Sequence, residues 1–166
     1  FYLLNKLAKV GSVFEAAPGP GCKPIRIEAR YSDRVPFGTS AAVNKIIELA
    51  DPQGDFLYND PEVFEMLILW LQCLPAIWHS QSSDIDASIF ADRHSGRALS
   101  EGRRHLLEGL NAIKAQHALE HAFRQGKSLD QFTRQVHTWF DAFRTLKLIH
   151  FLRDNHLPSI PYTTLV

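Results

Sequence analysis

The chain has 166 residues, 45% of them hydrophobic, and its 18 Lys+Arg balance its 18 Asp+Glu. Such a length and apolar content suit one folded domain, 1–166, with a substantial core. No apolar run approaches the roughly 20 residues that span a bilayer, FYLLNKLAKVGSVF is too short and too polar for a secretory signal, and Cys22 and Cys73 make neither a disulfide framework nor a C-x-x-C metal motif, so a cytoplasmic protein is expected.

Residues 1–16 predict a helix, with Leu3, Leu4, Leu7, Val10 and Phe14 apolar, and APGPGC ends it. In KPIRIEARYS, Ile25, Ile27, Ala29 and Tyr31 alternate with Arg26, Glu28 and Arg30, the period of a half-buried strand over about 24–32. The last residues, 160–166, are also strand-prone. A lone strand leaves its backbone groups unsatisfied, so these two segments are expected to pair. The competing outcome is an exposed edge that recruits another chain.

TSAAVNKIIELA predicts a helix that stops at Asp51-Pro52. Asp60 is a good N-cap for the next helix, Pro61 suits its first position, and Glu62 favours the positive end of its dipole. Apolar residues nearly encircle that helix, which places it centrally, and Pro75 is expected to end it. The polar stretch after it reads as a loop or short helix. A helix over 101–125 then stops at Gly126, and Ser128 and Gln131 form a capping box for a last helix reaching about residue 154. Its stripe is Phe132, Val136, Trp139, Phe140, Phe143 and Leu146, with Asp141 and Arg144 facing away. The expected fold class is mainly α, a helical bundle with a long C-terminal helical hairpin and a minor two-stranded β element.

The neutral charge hides a split. Residues 1–92 carry 7 Lys+Arg against 12 Asp+Glu, and residues 93–166 carry 11 against 6 together with seven of the eight histidines. The acidic half 1–92 and the basic, His-rich half 93–166 either neutralise each other or leave the basic half for a polyanion. Arg93, Arg97, Arg103 and Arg104 gather before and at the start of the 101–125 helix. Arg124, Lys127 and Arg134 bracket the tight turn, and Arg144 lies on the last helix. These are the candidate nucleic-acid-binding residues, because a guanidinium fork fits phosphate and a cationic helix face follows a backbone without reading bases.

HALEH offers different chemistry. His117 and His121, four apart on a helix, are placed to reach one zinc ion, and Glu120 to activate water. On an unbroken helix both histidines continue the apolar line of Leu106, Leu110 and Ile113, with His150 pointing to the same core. No glutamate follows Glu120 to complete the ligand set, and Asp130, Asp141 and Asp154 have no motif spacing. Two core-edge histidines are the competing explanation. No G-x-S-x-G elbow, P-loop or dinucleotide fingerprint is present, so no cofactor and no small-molecule substrate are expected.

One stretch carries a resemblance. SGRALSEGRRHLLEGLNA, HALEHAFRQ and LDQFTRQVHTWF contain Gly96, Arg97, Leu99, Arg103, Arg104, Leu106, Leu107, Asp130 and Trp139. In these residues the carboxy-terminal half resembles the small helical subunit of the CRISPR Cascade effector. The resemblance implies an all-helical, non-catalytic subunit that contacts nucleic-acid backbone, through Arg97, Arg103 and Arg104 here. The amino-terminal half departs from that pattern.

The expected function is a non-enzymatic binding subunit whose basic half contacts nucleic acid or another acidic partner inside a larger ribonucleoprotein or defence complex. The alternative is a protein-only adaptor or inhibitor from a bacterial or mobile-element system, using the strand edge or a groove beside Trp70, Trp78 and Trp139. The third is a metal-dependent enzyme built on His117, Glu120 and His121.

Overall fold

The structure is a computed structural model that describes residues 6–7, 9–11, 39–85 and 97–164. It is mainly helical with one small antiparallel sheet, as the sequence predicts. The residues group into two compact units, Phe1–Tyr58 with Ile160–Val166, and Asn59–Ser159.

The first unit contains α1 (Thr39–Ile47), the one-turn α2 (Pro52–Asp55), β1 (Leu57–Tyr58) and β2 (Ile160–Pro161). Leu57 pairs with Pro161 and Tyr58 with Ile160. The expected partner strand at 24–32 lies outside the described residues, and the partner seen for β2 is β1. The strand expected over 160–166 also stops early, because Tyr162–Thr164 turn into a 3-10 helix. Pro161 has no N–H to donate, so a ladder does not run on through it. Tyr162 instead sets its ring 6.2 Å from that of Tyr58.

The second unit is built on α3 (Pro61–Ser80). Asp60 caps it as predicted, its carboxylate accepting from the Glu62 N–H at 2.9 Å. Pro75 does not end it. The carbonyl that proline deprives of a partner belongs to Leu71, a residue 40% exposed, while Leu74 and Ile77 are held in the core. The helix stops at Gln81, whose left-handed backbone returns its N–H to the Trp78 carbonyl. α3 is the described helix long and apolar enough to cross a membrane. In this fold its Val63, Met66, Trp70, Leu74 and Ile77 are buried against the other helices.

Each predicted arm of the hairpin is broken once. The first becomes α4 (Arg97–Ala112) and α5 (Ala115–Gln125), and the second becomes α6 (Leu129–Trp139) and α7 (Ala142–Asn155). α4 packs on α7 and α5 on α6, while α3 lies against α4, α6 and α7. The first break is at Lys114, left-handed at φ 63°, which lets Leu110 and Ala115 both be fully buried across the change of direction. The second is at Asp141, whose carboxylate accepts from the N–H groups of Phe143 and Arg144 and starts a new helix. Asp141 therefore does not face away; its side chain is 9% exposed. The break also re-phases the last stripe. Leu148, Ile149 and Leu152 enter the core, and Phe143 and Leu146 remain exposed.

The turn between α5 and α6 follows its sequence. Ser128 Oγ accepts from the Gln131 N–H at 3.3 Å, and Gln131 Oε1 accepts from the Lys127 N–H at 2.9 Å. The core is continuous across this unit, from Val63 to Leu157. At about 1.5–3 kcal/mol for each large apolar side chain removed from water, it supplies the main drive to fold.

Candidate nucleic-acid interface

The break at Lys114 decides where HALEH points. α5 buries Ala115, Leu119 and Ala122. His117 and His121 lie on its opposite face, and the His117 side chain is 79% exposed. On an unbroken helix they would continue the apolar line of Leu106 and Leu110, but the turn at Ile113–Lys114 rotates α5 relative to α4. His117 Nδ1 sits 3.7 Å from Glu120 Oε2, and His121 Nε2 lies 3.2 Å from Gln125 Nε2. His150 is exposed on α7 instead of core-facing. Among the described residues no group of three or more His, Cys, Asp or Glu side chains is placed to hold a metal ion.

The same rotation builds a different feature. Lys114, His117, His121 and Arg124 follow one another by three, four and three residues and are all exposed. At about 100° and 1.5 Å per residue His117, His121 and Arg124 form a ridge within an arc of about 60°, about 10 Å long, with Lys114 at the left-handed N-cap before it. Lys127 is exposed in the turn just beyond it. Glu120, half-buried, is the only carboxylate on α5.

All six carboxylates between residues 93 and 166 are engaged within that same half. Glu101 meets Arg104, Glu108 meets His156, Glu120 meets His117, Asp130 meets Arg134, Asp141 meets Arg144, and Asp154 meets Arg153. Lys114, Arg124, Lys127 and Lys147 have no carboxylate partner among the described residues. These four cations are exposed on the helices and turn that carry them.

The eight candidate cations separate accordingly. Arg124 and Lys127 lie at the end of the ridge. Arg104 and Arg134 are exposed but tied to acids one helical turn away. Arg144 closes the second break. It donates to the Trp139 carbonyl at 2.9 Å and lies 5.0 Å above the Trp139 ring. Arg103 is 8% exposed, so it belongs to the packed seam and does not present its guanidinium to a phosphate chain. Its charge acts on Cys73, whose thiol burial pushes up and Arg103 pulls down. Arg97 starts α4, and Arg93 lies outside the described residues.

The three tryptophans differ in depth. Trp70 is fully buried. Trp78 stacks on Phe123 with ring centroids 5.9 Å apart and also touches Phe132, and Trp139 is half-buried under Arg144.

One polar cluster escapes sequence reasoning. The His105 and His156 rings stack 4.0 Å apart and 9° from parallel, with His156 Nε2 3.0 Å from Glu108 Oε2. Burial lowers the His105 pKa, and the charges of His156 and Arg104 lower it further, against the opposing pull of Glu101 and Glu108. His105 and Glu108 share a helix face, but nothing local in the sequence points to a histidine 51 positions further on.

No family model, no curated protein and no solved structure matches the chain significantly.

Proposed function

We propose that the chain is a non-enzymatic binding subunit whose α5 ridge lies along a nucleic-acid backbone, as part of a larger nucleoprotein or defence complex. The observation that supports this is the alignment of His117, His121 and Arg124 on one exposed helix face, flanked by Lys114 and Lys127, with five of the six acids of that half engaged by groups off this face and Glu120 by His117 on it. A cationic helix face of this kind recognises phosphates and reads no bases, so the ligand is chosen by its backbone. The resemblance to the small Cascade subunit points to the same kind of partner, although Arg103 now belongs to the packing.

The test is fluorescence anisotropy with labelled single-stranded DNA, duplex DNA and RNA over a range of salt. Binding is expected to weaken steeply with salt. The variant Lys114→Gln/Arg124→Gln/Lys127→Gln is expected to lower the log–log salt slope by about 2–3, near one phosphate contact per cation removed. Arg134→Gln, which removes a cation already tied to Asp130, is expected to change affinity little. Equal affinity in the triple variant and the parent protein sinks the proposal.

A further inference from the structure

The contact between α4 and α7 ends in two imidazoles. Leu148, Phe151 and Leu152 of α7 pack over Gly109 of α4. One turn further out, His105 of α4 meets His156, the residue that closes α7, with the rings 4.0 Å apart and 9° from parallel. The Phe151 ring stands 5.9 Å from that of His156.

The two rings are not equivalent. His156 Nε2 lies 3.0 Å from Glu108 Oε2, so a proton on His156 is held as an ion pair. His105 Nδ1 is buried with no hydrogen-bond partner among the described residues. A charged imidazole carries hydrogen on both nitrogens. A proton on His105 therefore leaves an N–H without an acceptor inside the contact, and sets a second positive ring 4.0 Å from the first. The surrounding charges do not remove this restriction. Burial opposes protonation of His105 most, followed by His156 of α7 and Arg104 of α4, while Glu101 and Glu108 of α4 favour it. Arg153 and Asp154 of α7 are engaged with each other. α3 brings one carboxylate to this stretch of α4, Glu62 beside Gly102.

The position of the pair decides what a second proton does. The His156 and Leu157 N–H groups both donate to the Leu152 carbonyl, at 2.9 and 2.8 Å, and finish α7. Leu157 is buried, Pro158 follows with no N–H, and β2 begins at Ile160. Beyond Gly109, the stack and Leu157 fasten this last turn.

We infer that the His105–His156 pair is an acid-operated latch on the carboxy-terminal end of α7. With no proton, or with one on His156 beside Glu108, the rings stay stacked and the end stays fastened. The second proton separates the rings and frees residues 156–159, which lead into β2, while the packing over Gly109 keeps the rest of α7 in place. The pair titrates as a unit, and opening takes up a proton, so acid favours the open end. This reaches beyond the nucleic-acid proposal, since it uses no residue of α5 or of the turn after it.

The test is amide hydrogen exchange of the 166-residue chain, followed by NMR from about pH 8 to about pH 5 and corrected for the intrinsic effect of pH on exchange. Protection of the His156 and Leu157 amides is expected to fall at least about tenfold toward acid, while that of Ile149 and Leu152 holds. His105→Gln and His156→Gln each leave one ring, and in each the protection is expected to stay level. Glu108→Gln removes the anion that shelters the first proton, so its loss of protection is expected to begin at higher pH. Constant protection in the parent chain overturns the inference, as does a loss shared by the whole of α7. An undiminished response to acid in both histidine variants overturns it too, and so does a Glu108→Gln loss of equal factor at every pH.

Discussion

Where α4 meets α7, side chains of α7 pack onto the bare backbone of Gly109, and polar rings enter the seam. A Cβ on Gly109 would lie 2.5 Å from Leu148 Cδ1 and 3.3 Å from the Phe151 ring, and one turn away His105 stacks on His156. Where α5 meets α6, the contact is filled by large apolar side chains. Leu119, Phe132 and Val136 are fully buried, and Phe123 and Trp78 close over Phe132. The first pair is held by close fit with titratable groups inside, the second by bulk with the titratable groups outside. The difference teaches where a change in charge is felt: inside the packing at the α4–α7 end and only at the surface at the α5–α6 end.

Substitutions of decreasing effect sharpen that contrast. Phe132→Ala removes the most central ring of the α5–α6 contact and is expected to cost about 3–5 kcal/mol, measured by urea denaturation. A loss below about 1 kcal/mol would show that the aromatic cluster is loosely packed. Gly109→Val tests close fit in place of bulk. Overpacking against Leu148 is expected to cost about 1–3 kcal/mol, and a neutral outcome would mean that α7 is free to shift. Lys114→Gly works in the opposite direction. A side chain held at φ 63° is strained by about 1 kcal/mol, so glycine is expected to raise Tm by a few degrees. An unchanged or lower Tm would show the turn to be relaxed with lysine in place.

The mildest effect comes from pH. The folded pKa of His105 lies below its unfolded value, so the unfolded chain binds the proton more readily. The stability contributed is complete above the ordinary histidine pKa and is lost as pH falls through the lowered folded value. Thermal scans from pH 8 to 5 are expected to show a decline that is shallower in His105→Gln. Curves of equal steepness in the two proteins would show that the stacked pair contributes nothing to the loss of stability in acid.

Local features of this fold were legible in the sequence wherever a few neighbouring residues decide them. The Asp60 cap, Pro61, the Ser128–Gln131 box and the central position of α3 act within one helical turn, and each is present in the structure. The two breaks were not legible. Lys114 has no glycine to announce a left-handed turn, and Asp141 inside an amphipathic stretch looks like any solvent-facing acid. Both are imposed by burial on either side. Each break shifts the helical wheel just beyond it, so His117 and His121 leave the apolar line and Phe143 stays exposed, while Phe132 and Val136 keep the burial that their stripe predicts. Pro75 misled in a related way, since the apolar neighbours of a proline decide whether a helix continues past it. Arg103 illustrates a different limit, because sequence shows a cation without showing its depth.

The capped turn at Gly126–Leu129 also has a kinetic consequence. It joins α5 to α6 across a few residues, so their contact forms after a short search and costs little loop entropy. α4 and α7 meet only across that whole hairpin, and α3 is joined to α4 by the stretch 81–96, longer than the α5–α6 turn. Folding of the Asn59–Ser159 unit is therefore expected to start at the α5–α6 turn and spread toward the chain ends. On a ribosome that order puts a premium on the late half of the chain. The cationic hairpin is complete soon after it emerges, while α3, made earlier, waits with its apolar faces uncovered until the hairpin arrives.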